Sequence, residues 1–410
     1  MRRVVVAGMG VVSSIGNSLA EVSESLRAGR SGVEFLPERK EMGFRSGLAG
    51  TLKSPPDPDV PKRNLRQMGA SSLLAVPAVR EALADAGLSE ADVKNERTGI
   101  VIGTCSNMLD IFQQCHAFRH EKKNLGGNAL QRTMASSVSA NLSVLFGTRG
   151  HCLAVSAACA SGALAILQGG QAIRWGLQDR MICAGVQESS WAFDCNFDAL
   201  RAFSLRESEP ARASRPFDKD RDGLVPSSGC GVVVLEEEES ARKRGARIHA
   251  ELAGWATNSD GFDMTIPSGQ GGQRCLELAL ADAGKDSGDV DYVHAHATST
   301  LVGDAQEAKT IRSLLGDKPW VSSTKSMTGP ELAAAGATGV VYTLLMMRDG
   351  FVAPSINLDN IDPECAGIRL AANTAVETSI RVAVSNSFGF GGVNTCLVLA
   401  KTELTRPDRG

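Results

Sequence analysis

The sequence predicts an α/β protein with buried sheets, built from two similar halves. Apolar runs typical of strands alternate with helical patterns along the whole chain. Short segments of the first half recur in the second half, which indicates a duplicated unit. Glycine makes up 43 of the 410 residues and falls mainly at strand ends and turns, where the backbone bends or approaches a ligand.

The internal repeat sets the expected domain organisation. The matched pairs are residues 3–16 and 248–261, 99–104 and 292–298, the segment around Cys159 and 320–325, and 229–235 and 391–398. Each pair joins a strand pattern to a turn or helix of the same kind. We therefore predict two halves, residues 1–245 and 246–410, joined near residues 241–247, with the active site between them.

Composition excludes several classes of partner. A net charge of −3 and a pI near 6.1 argue against nucleic acid or an anionic membrane as the main partner. The ten cysteines are scattered without CxxC pairs, which favours a reducing cytoplasm. Residues 1–7 resemble the start of a signal peptide, but Gly8, Gly10 and Gly16 interrupt an apolar stretch that is too short to span a bilayer. We predict instead that this stretch is the first strand.

Cys159 lies where a predicted strand turns into a predicted helix. The apolar run Cys152–Val155 is typical of a buried strand, small residues follow it, and a helical pattern covers residues 163–175. Free N–H groups and the helix dipole at a helix N-terminus favour a thiolate, so we expect a lowered pKa for this thiol. The pattern predicts a nucleophile elbow with cysteine as nucleophile; a buried core cysteine is the alternative.

Two histidines end another predicted strand, ahead of a helix that begins near Asp304. On a strand, His294 and His296 would share a face. An imidazole at such a strand end can donate a hydrogen bond into a cleft or move protons. Zinc is an alternative, but two histidines without a clear third ligand are a weak metal motif, so we predict no metal. His294 by itself is more typical of a hydrogen-bonded core residue.

Three further segments complete the candidate site. Lys325 ends a predicted half-buried strand and needs a counter-charge, which we expect from Glu307; an exposed loop lysine is the alternative. The glycine-rich run 385–394 can bring a backbone N–H to a developing oxyanion. It precedes a strand instead of opening a helix, so it is a poor dinucleotide motif. Residues 105–135 have weak periodicity, and we expect a loop-rich insertion there that shapes a pocket or an interface.

Four motifs together resemble the β-ketoacyl-[acyl-carrier-protein] synthases, the type I/II condensing enzymes, and most closely their synthase I branch. The similarity extends over nearly the whole chain. The motifs are Ser156-Ala157-Ala158-Cys159-Ala160, His296-Ala297-Thr298-Ser299-Thr300 with Gly303-Asp304, Thr324-Lys325, and Asn386-Ser387-Phe388-Gly389-Phe390-Gly391-Gly392. The resemblance implies a thiolase-like, duplicated αβαβα layered fold, a dimer, and no cofactor apart from the phosphopantetheine that arrives on the carrier protein.

The resemblance also implies a role for each matching residue. Cys159 would be the nucleophile that takes an acyl group from a carrier-protein thioester, and His296 would hydrogen-bond the malonyl thioester carbonyl during decarboxylation. The N–H groups of Cys159 and Phe390 would form the oxyanion hole, and the Phe390 ring would gate the pocket. The remaining implied residues are Lys325 and Glu307, which would organise the site, Thr298 and Thr300 in the pantetheine tunnel, and Phe197 in the acyl pocket.

Partners are implied in the same way. The family docks an acidic carrier protein on basic residues, which Lys62, Arg63 and Arg66 match; a plain solvated face is the alternative. Their spacing would place two of the three on one helix face. We expect a homodimer, with a heterodimer of this chain and a second synthase-like chain as the alternative.

Pro330 is the main departure from the family. The family has a second catalytic histidine directly after Thr-Gly in this segment, whereas this chain has Pro330 and then Glu331 in the substrate site. Proline offers neither a donor side chain nor a backbone N–H. Losing one preorganised donor typically costs about 10²–10³ in rate. We therefore expect acylation of Cys159 to survive and decarboxylation to be impaired, unless His294 reaches the same cavity.

Three functional hypotheses follow. The leading one is a β-ketoacyl-carrier-protein synthase of fatty-acid or polyketide-type biosynthesis with an altered decarboxylation site. The first alternative is an acyltransferase or thioesterase on the same scaffold, which passes the acyl group to another nucleophile or to water. The second is a non-condensing partner subunit of a heterodimeric synthase, and the intact elbow around Cys159 argues against it.

Overall fold

The computed structural model of the protein describes residues 1–105, 107–188 and 190–402, so residues 403–410 of the predicted second half lie outside the described residues. The strands are β1 (Val4–Ser13), β2 (Val33–Phe35), β3 (Leu48–Gly50), β4 (Thr98–Gly103), β5 (Cys152–Val155), β6 (Arg180–Gln187), β7 (Gly229–Glu237), β8 (Ala250–Ser259), β9 (Tyr292–His294), β10 (Trp320–Ser322), β11 (Phe351–Val352), β12 (Arg369–Leu370), β13 (Val376–Glu377), β14 (Val382–Gly389) and β15 (Val393–Ala400).

The helices separate these strands along the chain. The α-helices are α1 (Leu19–Ala28), α2 (Pro37–Glu41), α3 (Lys62–Leu65), α4 (Ala70–Asp85), α5 (Met108–Arg119), α6 (Ala129–Thr133), α7 (Ser137–Phe146), α8 (Ser161–Arg174), α9 (Trp191–Ala199), α10 (Glu238–Lys243), α11 (Gln270–Asp282), α12 (Leu301–Leu315), α13 (Lys325–Thr328) and α14 (Ala335–Asp349). Short 3₁₀ helices cover Glu90–Val93, Pro210–Arg212, Ser287–Asp289, Leu332–Ala334 and Pro363–Cys365.

One mixed sheet of eleven strands runs through the molecule in the order β12-β10-β9-β14-β15-β8-β1-β7-β6-β4-β5. Its two sides repeat the same pattern. The strand β4 lies parallel to β5 and β6, and β9 lies parallel to β10 and β14; β7 and β15 then pair antiparallel with β6 and β14. The two halves meet where β1 pairs antiparallel with β8. The segments predicted to repeat therefore occupy equivalent strands, which confirms the duplicated α/β fold.

Three hydrophobic clusters correspond to the layers of the fold. Helices α4 and α7 pack on the outer face of the first half, α11 and α12 pack on the outer face of the second half, and α8 and α14 lie in the middle. Strands such as β7 contribute side chains to clusters on both faces, since Val233 belongs to the central cluster and Val232 to an outer one. Burial on both faces explains their continuous apolar sequences.

The two central helices touch through glycine. A methyl group at Gly162 of α8 would lie 2.7 Å from Ala337 N, and one at Gly336 of α14 would lie 2.5 Å from Ala163 N. Only glycine allows backbones this close. The contact fixes the start of α8, and with it Cys159, against the second half of the chain.

The structure corrects two predictions about the first half. The strand β5 has the predicted bounds, but it forms an edge of the sheet and Leu153 is 43% exposed, so it is not buried. Residues 105–135 are not loop-rich, because they contain the twelve-residue helix α5 and the short helix α6. Their periodicity is weak because α5 leaves Ile111, Phe112 and Phe118 exposed. In the described ranges, no helix is long and apolar enough to cross a membrane.

Candidate active site

A cavity of about 470 Å³ opens where the turn after β5, the loop after β9 and the β14–β15 turn come together. Eight residues singled out from the sequence line it: Cys159, Phe197, His296, Thr298, Thr300, Glu307, Pro330 and Phe390. Lys325 is buried but does not line it, and Lys62, Arg63 and Arg66 are exposed on and just after α3. The two halves of the chain therefore share one site.

The turn before α8 positions Cys159. Between β5 and α8, Ala158 adopts a left-handed backbone with φ 47°, a conformation that costs a non-glycine residue about 1–2 kcal/mol. The hydroxyl of Ser161 stabilises the turn, because it accepts a hydrogen bond from Ala157 N at 2.8 Å and donates one to Ala158 O at 2.6 Å. The helix begins at Ser161, two residues before the predicted start and two residues after the cysteine.

The β14–β15 turn lies directly over this elbow. A methyl group at Gly389 would lie 2.3 Å from Ala157 O, so only glycine permits the approach. Within the described residues, neither Cys159 N–H nor Phe390 N–H donates to a backbone carbonyl. Two amides without a backbone acceptor in the described ranges, on residues that line the cavity, suit the donor requirement of an oxyanion hole.

The predicted direction of the shift in the Cys159 pKa is wrong. Burial raises the pKa of the thiol to about 12, and the neighbouring Cys105 raises it further, while the charge of Lys325 acts against both. The thiol is therefore protonated at neutral pH. Proximity to a helix N-terminus, which was the basis of the sequence expectation, is outweighed by removal of the sulfur from water.

Alkylation of Cys159 by iodoacetamide is expected to accelerate about tenfold per pH unit from about pH 7 to about pH 9.5 without levelling off, because only the thiolate reacts. Peptide mass spectrometry measures the rate, and a free cysteine peptide with an ordinary pKa of about 8.5 is the reference. A plateau for Cys159 anywhere below about pH 9.5 would contradict the effect of burial, and a plateau below about pH 8 would restore the lowered pKa.

The loop after β9 places His296 in the cavity. The strand ends at His294, so His296 lies outside it and the predicted shared strand face does not exist. Glu307 holds the loop, since its carboxylate accepts hydrogen bonds from His296 N at 2.9 Å and Ala297 N at 2.7 Å. Asn386 donates a third hydrogen bond, at 2.9 Å, from β14. Glu307 therefore joins the histidine loop to the strand that leads into the Phe390 turn.

His294 is a core residue and does not line the cavity. It is buried, and its Nε2 lies 2.9 Å from Thr324 Oγ1. Burial lowers the pKa of both His294 and His296 well below the usual value, and the charge of Lys325 lowers them further. Both imidazoles are therefore neutral near pH 7, and only His296 is in a position to donate to, or accept a proton from, a bound molecule.

The predicted ion pair between Lys325 and Glu307 is not formed. Lys325 Nζ donates to Ala295 O at 3.3 Å, while the oxygens of Glu307 are occupied by the three N–H donors just described. Burial lowers the pKa of Lys325, and the carboxylates of Glu307 and Glu331 oppose that shift. The lysine acts on the site through its charge and not through contact with the carboxylate.

Pro330 brings no hydrogen-bond donor to the cavity wall. Its carbonyl accepts from Ser227 N at 3.2 Å, and proline has no N–H. Glu331 does not replace the donor, because its carboxylate is turned toward buried hydroxyls and accepts from Tyr342 at 2.6 Å and Thr338 at 2.5 Å. This segment therefore lines the site without taking part in hydrogen bonding there.

Aromatic rings and hydroxyls line the rest of the cavity. The Phe390 ring is 39% exposed and stacks on Phe197, with ring centroids 5.7 Å apart. Thr298 Oγ1 and Thr300 Oγ1 lie 3.4 Å from each other. The cavity thus has an apolar side beside the thiol and a polar side on the histidine loop.

Sequence reasoning missed Cys105. This residue follows β4 as Cys159 follows β5, and these strands are parallel neighbours with Gly103 opposite Val155. Its thiol interacts with the hydroxyl of Ser161, and burial raises its pKa. The strand pattern at residues 99–104 could have predicted this proximity, because parallel strands end at the same edge of a sheet.

A cysteine thiol and a neutral imidazole line one cavity between two like halves, which suits covalent acyl transfer, the chemistry of an acyltransferase of the condensing-enzyme class. The family model "Beta-ketoacyl synthase, N-terminal domain" matches residues 1–241, and "Beta-ketoacyl synthase, C-terminal domain" matches residues 249–359. The chain belongs to the β-ketoacyl synthase family. Enzymes of this family need no cofactor of their own. In the described part of the chain, no group of three or more His, Cys, Asp or Glu side chains could hold a metal ion.

Known proteins are similar over almost the full length. The chain is 44% identical over 406 residues to 3-oxoacyl-[acyl-carrier-protein] synthase 1 of Haemophilus influenzae, which covers 98% of this chain and 99% of that protein. A crystal structure of a β-ketoacyl synthase from Burkholderia phymatum has 36% identity and a TM-score of 0.95, covering 98% of this chain and 100% of that one. The chain is also similar to a solved structure described as a type II PKS acyl-carrier protein in complex with its ketosynthase bound to the hexaketide. The identity is 30% and the TM-score 0.88, covering 98% of this chain and 100% of that one.

Proposed function

We propose that this protein is a β-ketoacyl-carrier-protein synthase of fatty-acid or polyketide-type biosynthesis. It accepts an acyl group on Cys159 and condenses it with malonyl-carrier protein. The observation that carries the proposal is that Cys159, His296 and Phe390, whose N–H has no backbone acceptor among the described residues, line one cavity. The curated relatives it resembles are 3-oxoacyl-[acyl-carrier-protein] synthases, which supports the same reaction.

Acylation comes first. The sulfur of Cys159 attacks the carbonyl of the carrier-protein thioester, the carbon–sulfur bond to pantetheine breaks, and the thiol proton passes to the released pantetheine sulfur. The free N–H groups of Cys159 and Phe390 stabilise the oxyanion. Because the thiol is protonated at rest, the proton must move as the new bond forms, and the neutral imidazole of His296 can accept it and return it.

Condensation follows on the acylated enzyme. Malonyl thioester loses carbon dioxide, the enolate carbon attacks the acyl carbonyl on Cys159, and the thiolate leaves and takes up a proton from water. His296 donates to the enolate oxygen, whereas Pro330 has nothing to donate. Lys325 favours the developing negative charge through space, and Glu307 positions the histidine loop. We infer that this synthase condenses, with a decarboxylation step slowed by Pro330.

The pocket walls fit a substrate delivered on a long arm. Thr298 and Thr300 offer hydroxyls to the amides of pantetheine, and Phe197 with the gating ring of Phe390 encloses the acyl chain. We propose that an acidic acyl-carrier protein docks on Lys62, Arg63 and Arg66. The exposure of all three side chains on one short helix end supports this.

A dimer is the assembly that the first half favours. The strand β5 is an exposed sheet edge, and Phe112 of α5 and Val144 of α7 are exposed apolar residues of the same half. An apolar edge of this kind is a liability unless another chain covers it. We propose a homodimer, with a second synthase-like chain as the alternative partner.

We also propose that the chain divides into halves between residues 245 and 246. A cytoplasmic location is proposed as well, and the ten free cysteines support it.

The test is a two-step assay on the full chain. Incubation with acyl-carrier protein should add the acyl mass to the peptide that contains Cys159, and addition of malonyl-carrier protein should then give a β-ketoacyl product. Mass spectrometry follows both steps. Acylation followed by free acid, or by transfer without malonyl, would identify the thioesterase or acyltransferase alternative and overturn the proposal.

A further inference from the structure

Arg201 occupies a backbone position that normally belongs to glycine. Helix α9 ends at Ala199, and Arg201 follows with φ 55° in the left-handed region. Its N–H donates to Asp198 O at 3.0 Å, and Ala202 N–H donates to Phe197 O at 3.3 Å. These bonds form a Schellman motif, in which glycine is preferred at this residue. The chain thus keeps an arginine here against the local backbone preference.

The guanidinium of Arg201 is exposed at the cavity mouth without a partner. Among the described residues it is the only lysine or arginine side chain that lines the cavity, and no described residue forms a hydrogen bond or ion pair with it. The carboxylate of Asp222, which also lines the cavity, is occupied by Ser204 Oγ at 2.6 Å and Leu205 N at 3.0 Å. Asp260 and Asp263 likewise accept from neighbouring groups. An unpaired cation at the entrance is available to an incoming anion.

The substrate of the proposed function carries such an anion. Its acyl group is attached to phosphopantetheine, whose thiol end must reach Cys159 while its phosphate stays toward the carrier protein. A planar guanidinium pairs with phosphate through two hydrogen bonds, which a lysine cannot do. We propose that Arg201 is a positioning residue that binds the phosphate of the phosphopantetheine arm at the mouth of the cavity. This inference rests on the proposed function.

The test compares two small thioesters that differ only in the phosphate: acyl-phosphopantetheine and acyl-pantetheine. For the full-length protein, we expect the phosphate to raise kcat/KM for acylation of Cys159 about tenfold, the gain typical of a charged hydrogen-bonded contact. The Arg201→Gly variant should reduce this ratio to about 1, and Arg201→Lys should keep part of it. The Arg206→Gln variant is the matched control, because Arg206 already donates to Asp220 O and does not line the cavity.

Folding is tested in the same variants. Because glycine suits the left-handed position, Arg201→Gly should unfold at a temperature equal to or above that of wild type, so a lost ratio cannot be ascribed to misfolding. A phosphate preference that survives Arg201→Gly, or a wild-type enzyme without any preference, would overturn the assignment of Arg201 and leave the proposed function unaffected. Failure of acyl-carrier protein itself to acylate Cys159 in the two-step assay would overturn the proposed function, and this inference with it.

Discussion

Replacing Pro330 with histidine is expected to raise the rate of malonyl-carrier-protein decarboxylation by about 10²- to 10³-fold, the usual value of one preorganised donor. Pro330 lines the cavity together with His296, and its carbonyl is anchored by Ser227 N. A side chain at this position therefore extends from a fixed backbone into the site. An imidazole there would give the enolate a second donor beside His296.

Release of carbon dioxide from malonyl-carrier protein measures this effect. The Pro330→Ala variant is the matched control, because it restores the backbone N–H and removes the ring without adding an imidazole. We expect it to stay within about threefold of wild type, well below the value of a catalytic donor. Equal rates for wild type and Pro330→His would mean that another group already supplies the second donor, and the proposed impairment would be wrong.

Replacing Cys159 with alanine is expected to abolish both acylation and product formation, by a factor on the order of 10⁴ or more, as when a catalytic nucleophile is deleted. No other thiol of the described residues lines the cavity. The turn around Ala158 and the Ser161 hydrogen bonds do not depend on the sulfur, so the variant should fold. The loss of acylation in this variant would therefore result from removal of the thiol and not from unfolding.

The informative control for this variant is Cys105→Ser. Cys105 is close enough to raise the pKa of Cys159, so it is the thiol most able to be acylated in its place. We expect Cys105→Ser to keep acylation within about threefold of wild type, because it only removes a modest opposing effect on the nucleophile. Intact-mass analysis of both variants decides the question. Acyl mass that persists in Cys159→Ala and vanishes in Cys105→Ser would show that Cys105 is the acylated residue, and the assignment of Cys159 would be wrong.

The segments that line the site can be predicted from sequence because each places its chemistry within a few consecutive residues. A strand, small residues and a helix are enough to locate the turn at Cys159, and a glycine run before a strand locates the turn at Phe390. The equivalence of the strands in the two halves is also accessible, since the repeat pairs the segments that form them. These features depend on local sequence and on symmetry.

Contacts between distant segments are not accessible in the same way. Charge alone suggests that Lys325 pairs with Glu307. In the structure, two backbone N–H groups of the histidine loop and the side-chain amide of Asn386 donate to that carboxylate instead. The pKa of Cys159 shows the same difficulty. The position of Cys159 before a helix is visible in the local sequence. The burial that raises its pKa depends on the turn after β5, the loop after β9 and the β14–β15 turn, which come from both halves.

The glycine contact between α8 and α14 has a consequence for how this protein can change over evolution. Each helix fills the space that a side chain on the other would need, at Gly162 against Ala337 and at Gly336 against Ala163. A mutation that enlarges either glycine would displace the partner helix, and with it the turn that holds Cys159. Because each clash is with a backbone atom, a smaller side chain on the opposite helix would not relieve it, and each half therefore restricts which residues the other half can carry at this contact.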